Sequence, residues 1–213
     1  MTLVHHLVVF AKTPRLGRVK TRLGRDIGAV AAWAFYRRAL GSVLRRLGDH
    51  RGGGGRRWRC WLAITPDADI HLRRSWPGGW WRVNQGEGDL GARMGRLARA
   101  LPRGPVVIVG ADVPAIRRHH ITAAFKALGN HDAVFGPAAD GGYWLVGLRR
   151  RPRFADVFNR VRWSTEQALS DTLENLNPGH THALLETLED IDGGEAYRRL
   201  NRTRKPPSTG RRP

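Results

Sequence analysis

Apolar residues in this chain form short uninterrupted runs that are typical of buried strands. The runs at 7–10 and 106–109 contain no polar position. A strand that is covered on both faces of a parallel sheet reads in this way, whereas a half-exposed strand alternates. Further strands are predicted at 58–64, 81–84, 133–136 and 143–148.

Between these runs the apolar positions change to helical spacing. Leu40, Val43, Leu44 and Leu47 follow an i, i+3, i+4, i+7 pattern and predict a helix over 27–47. A second stripe predicts a helix over 90–101, with Asp89 as its N-cap. Helices are also predicted over 116–128 and after Ser164, followed by a last strand–helix unit. Strands that alternate with helices indicate an α/β sandwich around a mainly parallel sheet.

The length and composition favour one domain. The 213 residues predict a domain over 1–200, followed by a basic, disordered tail over 201–213, and residues 52–55 are four glycines that predict a surface loop. Cys60 is the only cysteine, so an intramolecular disulfide is excluded. No apolar run approaches the roughly 20 residues of a membrane span, and residues 3–11 lack the features of a signal peptide. A cytoplasmic location is expected.

The formal net charge of +19 suggests polyanions as partners. The arginines are nevertheless scattered through every segment, and no signature of a nucleic-acid-binding module is present, so no specific nucleic-acid partner is expected. A phosphate-rich small substrate fits the charge equally well. The oligomeric state cannot be read from the sequence.

The segment 10–23 combines a basic Gly/Pro-containing loop with the end of the first predicted strand. Ligands of α/β proteins bind outside the carboxyl ends of such strands. Only four of the 37 basic residues are lysines, and two of them, Lys12 and Lys20, lie here. Lysine offers a compact charge that suits phosphate oxygens, although a solvated basic loop is the simpler alternative. The predicted nucleotide- and phosphate-binding residues of this loop are Ala11, Lys12, Pro14, Gly17, Lys20, Thr21 and Arg22.

Asp112 follows the fully apolar run 106–109, which places it at the carboxyl edge of the predicted sheet. Mg²⁺ and Mn²⁺ prefer oxygen ligands and are commonly held by one or two carboxylates together with substrate phosphates. Asp112 is therefore a candidate metal ligand, and Asp192, late in the chain, is a candidate second ligand. The alternatives are a turn or helix cap for Asp112 and a surface acidic turn for Asp192.

The segment 140–143 reads Asp-Gly-Gly-Tyr between two predicted strands. It suits a hairpin turn, because glycine supplies positive φ angles. It also suits a substrate contact, in which Gly141 and Gly142 let the backbone approach a sugar while Asp140 accepts hydrogen bonds from hydroxyls. The two readings are compatible.

Two further candidates lie near predicted helix starts, whereas the two histidine pairs are not taken as a site. Arg93 follows a Gly-rich turn and is a candidate for anion binding, whereas Trp163 can stack on a sugar. The pairs His5/His6 and His119/His120 are expected to diverge because neighbouring side chains point in different directions, so no metal is assigned to them. The chain contains no motif of a serine or metal hydrolase, a dinucleotide oxidoreductase or a P-loop NTPase.

Taken together, five blocks in order resemble the small bacterial glycosyltransferase-A-like proteins, a family of uncharacterised and arsenosugar-biosynthesis-associated glycosyltransferases. The resemblance covers most of residues 3–192. It implies a Rossmann-like three-layer αβα sandwich of the nucleotide-diphospho-sugar transferase type and a divalent metal, Mg²⁺ or Mn²⁺. The blocks are Phe10-Ala11-Lys12-x-Pro14-x-x-Gly17-x-Val19-Lys20-Thr21-Arg22-Leu23, Gly88-Asp89-Leu90-Gly91-x-Arg93-Met94, Gly110-x-Asp112-x-Pro114, Asp140-Gly141-Gly142-Tyr143-Trp144-Leu145-x-Gly147-Leu148 and Trp163-Ser164-Thr165.

Two positions depart from the patterns of that fold. Glycosyltransferases of this type carry Asp-x-Asp as the metal motif, and here Gly110 takes the first position. Nucleotidyltransferases of the same fold have a Gly pair soon after the first strand, where this chain has Lys12-Thr13-Pro14, although Lys20 lies about where their later lysine would be. The fold therefore leaves the reaction open.

The leading hypothesis is a metal-dependent glycosyltransferase that uses a nucleotide-diphosphate sugar and an unidentified small-molecule or glycan acceptor. The segment 12–22 lines the nucleotide and the diphosphate, and Asp112, with Asp192, holds the metal. Asp140 orients the sugar or acts as a base, and Asp112 and Asp140 are thus the predicted catalytic residues. Gly141, Gly142, Tyr143 and Trp163 are the predicted substrate contacts. The alternatives are a nucleotidyltransferase that releases pyrophosphate and a noncatalytic polyanion-binding protein.

Overall fold

The computed structural model describes residues 3–48, 58–72, 76–152 and 154–204, which form a seven-stranded sheet between two helical layers. The strands are β1 (His6–Lys12), β2 (Arg59–Thr65), β3 (Trp81–Asn84), β4 (Val106–Gly110), β5 (Ala133–Pro137), β6 (Tyr143–Leu148) and β7 (His182–Leu184). Their order in the sheet is β3-β2-β1-β4-β6-β5-β7. Strand β6 runs antiparallel to β4 and β5, and the other neighbouring pairs are parallel.

Alternate residues of the central strands belong to two separate cores, which explains their unbroken apolar runs. Leu7 and Val9 pack with residues of α2 and α4 on one face of the sheet. Val8 and Ile108 pack with residues of α3 on the other face. The predicted α/β fold with a mainly parallel sheet and three layers is thereby confirmed. The helices are α1 (Thr21–Ile27), α2 (Ala29–Leu47), α3 (Leu90–Ala100), α4 (Arg118–Ala127), α5 (Ala168–Glu174) and α6 (Gly194–Arg204).

The helix predicted over 27–47 differs at its start from what the structure shows. Gly28 has a φ of 86° and separates α1 from α2. A residue with a side chain rarely adopts that angle, so the chain bends here and the two helices form instead of one. The N-cap predicted at Asp89 is confirmed, because its carboxylate accepts the backbone N–H of Ala92 at 2.7 Å.

The strand order of the sheet reverses at β1. From β1 the chain crosses to β2 on one side and later reaches β4 on the other, so β1 and β4 flank a topological switch point. Open α/β sheets bind their ligands in the crevice at the carboxyl ends of such strands. A ligand site is therefore expected at the segments that follow Lys12 and Gly110.

Some predictions fall outside the described residues. The glycine run at 52–55 lies there, as do residues 205–213 of the predicted tail, whereas α6 continues through 201–204. Among the described residues, none of the helices has the length and apolar character that a bilayer crossing requires.

Candidate active site

A cavity of about 620 Å³ opens over the carboxyl ends of β1 and β4, at the switch point of the sheet. Its walls include the loop after β1, the segment after β4, the β5–β6 turn, the loop before α5 and the segment after β7, and residues of α2, β2 and the start of α3 also contribute to them. The predicted site residues that line it are Ala11, Lys12, Lys20, Thr21, Arg22, Asp112, Asp140, Gly142, Tyr143, Trp163 and Asp192.

Tyr36 of α2 fixes the end of β1. Its hydroxyl accepts the backbone N–H of Lys12 and donates to the carbonyl of Lys12, both at 2.9 Å. Burial raises the pKa of this phenol, so it remains a neutral hydroxyl. The side chain of Lys12 is exposed and lines the cavity, while its backbone N–H and carbonyl are both bonded to the Tyr36 hydroxyl.

Gln85, just beyond β3, begins the Gly-rich turn that precedes Arg93, and it forms part of the cavity wall. Its buried amide donates to the carbonyls of Ala11 at 3.2 Å and Ala63 at 2.9 Å. These bonds tie the ends of β1 and β2 together.

Lys20 carries its ammonium group to the centre of the site. Its backbone lies in the left-handed region, with φ 47° and ψ 47°, at the start of α1. The side chain is only 6 % exposed, and the Nζ donates to Asp112 Oδ2 at 3.1 Å and to Asp192 Oδ1. Burial alone would lower the pKa of Lys20, but the charges of the two carboxylates outweigh it and the pKa is raised. The ammonium is therefore held charged.

Gly110 leaves the space that the Asp112 carboxylate uses. A Cβ at position 110 would lie 2.7 Å from Asp112 Oδ1. An aspartate in that position would therefore force the Asp112 side chain to move.

The segment 140–143 forms the turn between β5 and β6, as its hairpin reading predicted. Asp140 Oδ1 accepts the backbone N–H of Gly142 at 3.0 Å, and Gly141 has a φ of 85°. A Cβ on Gly141 would collide with the backbone of Glu166. The turn is therefore a tight hairpin connection, and it also presents Asp140 and Gly142 to the cavity.

Asp190, two positions before Asp192, is a further acid in the cavity and was not proposed as a site residue. Burial and the neighbouring charges of Asp192 and Asp140 raise the pKa of Asp190 to about 6. Four carboxylates thus face the same space, and the positive charges of Lys20 and the basic loop balance them.

Trp163 lies on a loop that α5 holds in place. Arg162 contacts the carboxylate of Asp171 with its backbone N–H at 2.9 Å and with its guanidinium at 2.9 and 2.6 Å. The Trp163 ring packs against Gly91, where a Cβ would lie 2.6 Å from the indole. The glycine after Leu90 in the Gly88–Met94 block therefore provides room for an aromatic wall of the cavity.

Four predicted site residues do not line the cavity, namely Pro14, Gly17, Arg93 and Gly141. The guanidinium of Arg93 instead donates to the carbonyl of Gly88 at 2.8 Å. Gly17 turns the loop with a φ of 70°, and the carbonyl of Pro14 accepts the indole N–H of Trp33 at 2.8 Å. Arg18, which lies in the predicted segment 12–22 but was not named there individually, lines the cavity.

The prediction that His119 and His120 diverge is wrong. Their rings lie 4.0 Å apart at the start of α4, and both approach the carboxylate of Glu186. Their ligand atoms lie within 4.8 Å of one another. However, His120 Nδ1 accepts the backbone N–H of Arg117 at 3.0 Å, so a neutral ring keeps its proton on Nε2, facing Glu186. A histidine that binds a metal usually donates a proton from its other nitrogen, so this cluster is a hydrogen-bonded one.

The carboxylates of the cavity suit a divalent cation. Asp112 and Asp192 are 41 % and 44 % exposed, and both reach the same ammonium nitrogen, so their oxygens lie within two hydrogen-bond lengths of each other. A pair of carboxylates beside a basic, phosphate-sized space is the usual protein contribution to a Mg²⁺ or Mn²⁺ site. The ammonium of Lys20 occupies the space between them.

The sheet topology and the position of the cavity are those of the nucleotide-diphospho-sugar transferase fold. A protein of Desulfovibrio desulfuricans G20 with a provisional assignment as a nucleotide-diphospho-sugar transferase superimposes with a TM-score of 0.83 and 29 % sequence identity, over 97 % of this chain and 90 % of that one. The chain belongs to a bacterial family described as uncharacterized and conserved in bacteria (DUF2064), whose profile matches residues 52–165. This confirms the family resemblance seen in the sequence.

More distant solved structures include both reaction classes that the sequence left open. Glucosyl-3-phosphoglycerate synthase of Mycobacterium tuberculosis, in complex with Mn²⁺, UDP and glucosyl-3-phosphoglycerate, has a TM-score of 0.54 and 12 % identity, over 97 % of this chain and 82 % of that one. The 4-diphosphocytidyl-2C-methyl-D-erythritol synthase of Anaerococcus prevotii DSM 20548 has a TM-score of 0.56 and 11 % identity, over 94 % and 97 %. At these identities the comparisons show a shared fold alone. A comparison with curated protein sequences finds no match.

Proposed function

We propose that this protein is a metal-dependent glycosyltransferase that uses a nucleotide-diphosphate sugar. The observation that carries the proposal is the content of one cavity: a basic loop, a carboxylate pair and the Asp140 turn all face it. These are the groups that a diphosphate, a divalent cation and a sugar require, respectively. The similarity to the Desulfovibrio protein, which extends over nearly the whole chain, supports the same class.

The loop after β1 would bind the diphosphate. Lys12, Arg18 and Arg22 line this side of the cavity and supply positive charge to phosphate oxygens. Tyr36 holds the backbone of Lys12 and so fixes the start of the loop. Because the start of the loop is already fixed, less of the binding free energy would be lost in ordering it.

Asp112 and Asp192 would hold Mg²⁺ or Mn²⁺. When bound, the cation would neutralise charge on the leaving nucleoside diphosphate. Asp140, on the β5–β6 turn, also lines the cavity and would orient the sugar or accept the proton of the attacking acceptor hydroxyl. Tyr143 and Trp163 would form the apolar wall against which the sugar packs.

A nucleotidyltransferase is the second candidate, and it is favoured by Lys20, which lies about where nucleotidyltransferases of this fold carry a lysine. Lys12, Arg18 and Arg22 line the cavity together with Lys20, and four cations suffice for a triphosphate as well as for a diphosphate. In that reaction the attack is at the α-phosphorus and pyrophosphate leaves. In glycosyl transfer a nucleoside diphosphate leaves.

The released product distinguishes the two reactions. We expect incubation of the protein and Mn²⁺ with UDP-, GDP-, CDP- and ADP-sugars to release one nucleoside diphosphate, because water can replace the missing acceptor. The matching nucleoside triphosphates, incubated with a panel of sugar phosphates, should yield no pyrophosphate. Release of pyrophosphate would replace the glycosyltransferase by the nucleotidyltransferase.

A further inference from the structure

The most unusual contact in the cavity is the one between Lys20 and the two carboxylates. Its ammonium lies between Asp112 and Asp192, which are the residues best placed to hold a divalent cation. The lysine is 6 % exposed, so its charge is offered to these two side chains rather than to solvent. A cation binding between the same oxygens would occupy the same space.

The backbone of Lys20 supports a dedicated role for its side chain. The residue adopts φ 47° and ψ 47°, which residues with a Cβ rarely do. Such conformations persist only where the surrounding structure imposes them, and they cluster at functional sites. A glycine would fit this backbone more easily, yet the chain places one of its four lysines here.

We propose that the Lys20 ammonium is a built-in occupant of the cation site and competes with a divalent ion for Asp112 and Asp192. The proposal rests on the proposed function only in taking these two residues as the metal ligands. One ammonium balances one of the two carboxylates, whereas a divalent ion balances both. Metal binding therefore displaces Lys20 from between them and frees its charge for the nearby phosphates.

This competition makes metal and nucleotide bind cooperatively. Without a nucleotide, the displaced ammonium loses two charged partners and gains none. With a nucleoside diphosphate in the cavity, the phosphate oxygens become its new partner. Linkage then requires that the nucleotide strengthens metal binding by the same factor by which the metal strengthens nucleotide binding.

The test is a titration of the free protein with Mn²⁺, in which free Mn²⁺ is followed by electron paramagnetic resonance and no nucleotide is present. Removing the competing charge in Lys20→Met should tighten Mn²⁺ binding at least about tenfold, since a unit charge at contact distance repels a cation strongly. Lys12→Met is the matched control, because it removes the same charge from the same loop. Lys12 forms no ion pair with any described residue, and its variant should stay within about threefold of the wild type.

Two further variants make the result decisive. Asp112→Asn added to Lys20→Met should abolish the gain, and Lys20→Gln replaces Lys20→Met if the latter fails to fold. The proposal is overturned if the Lys20 variants bind Mn²⁺ no more tightly than Lys12→Met, or if neither they nor the wild type bind it. Nucleotide binding without metal is measured separately, so such a result would leave the proposed nucleotide site standing.

Discussion

Single residues set the charge of the site, and their visibility in the sequence differs. Asp112 could be predicted because it follows an unbroken apolar strand. Its pairing with Lys20 could not, because 92 residues separate them, and 172 separate Lys20 from Asp192. Only the crossover from β1 to β4 and the return of the last segment bring the three together. Local sequence contains no information on that distance.

At the residue scale, His6 makes a pH-dependent contribution to stability. Burial lowers the pKa of this imidazole from 6.5 to about 4. Its Nδ1 accepts the indole N–H of Trp61 at 3.1 Å, and its Nε2 faces the carbonyl of Arg103 at 3.3 Å, so the folded state requires the neutral ring. Between pH 4 and 6.5 the unfolded chain binds more protons than the folded one.

The free energy of unfolding should therefore fall as the pH drops from 6.5 towards 4, by about 3 kcal/mol for this group. Urea unfolding at several pH values measures the effect, and His6→Gln serves as the control because it cannot titrate. The wild type should lose more stability than His6→Gln over this range. Equal pH dependence of the two proteins would show that His6 does not titrate as described.

At the scale of elements, α3 and the loop before α5 meet at Gly91. Here the sequence pattern predicted the helix correctly but not its contact, because the partner, Trp163, lies more than 70 residues further along. The same limit explains the error at His119 and His120. Neighbouring positions on a helix point in different directions, but both imidazole rings contact the carboxylate of Glu186, which lies on a distant segment of the chain.

Gly91→Ala should destabilise the protein by about 1–3 kcal/mol, because the added Cβ would lie 2.6 Å from the Trp163 ring and 2.8 Å from the carbonyl of Phe158. Gly24→Ala, in α1, is the matched control. Its Cβ would meet nothing closer than 3.7 Å, so we expect it to be neutral or to stabilise by up to about 1 kcal/mol. Urea unfolding compares the two variants, and an equal effect would contradict the close packing at Gly91.

For the whole molecule, topology and charge have different consequences. The alternation of apolar runs was sufficient to predict an α/β fold, and the cavity lies at the switch point between β1 and β4. The net charge of +19 determines no site by itself. The charge favours anionic ligands in general. Only saturable, metal-dependent binding of a nucleotide therefore distinguishes a nucleotide-binding enzyme from a protein that binds polyanions.

The most direct test is the melting temperature of the protein with UDP, GDP, CDP and ADP, each with and without Mn²⁺. A ligand at 100 times its dissociation constant stabilises by about 2.7 kcal/mol, which corresponds to a shift of roughly 5–10 °C for a chain of this size. We predict that one nucleoside diphosphate produces such a shift, that Mn²⁺ enlarges it, and that Asp112→Asn loses the enlargement. A shift with heparin and none with any nucleotide would contradict the account.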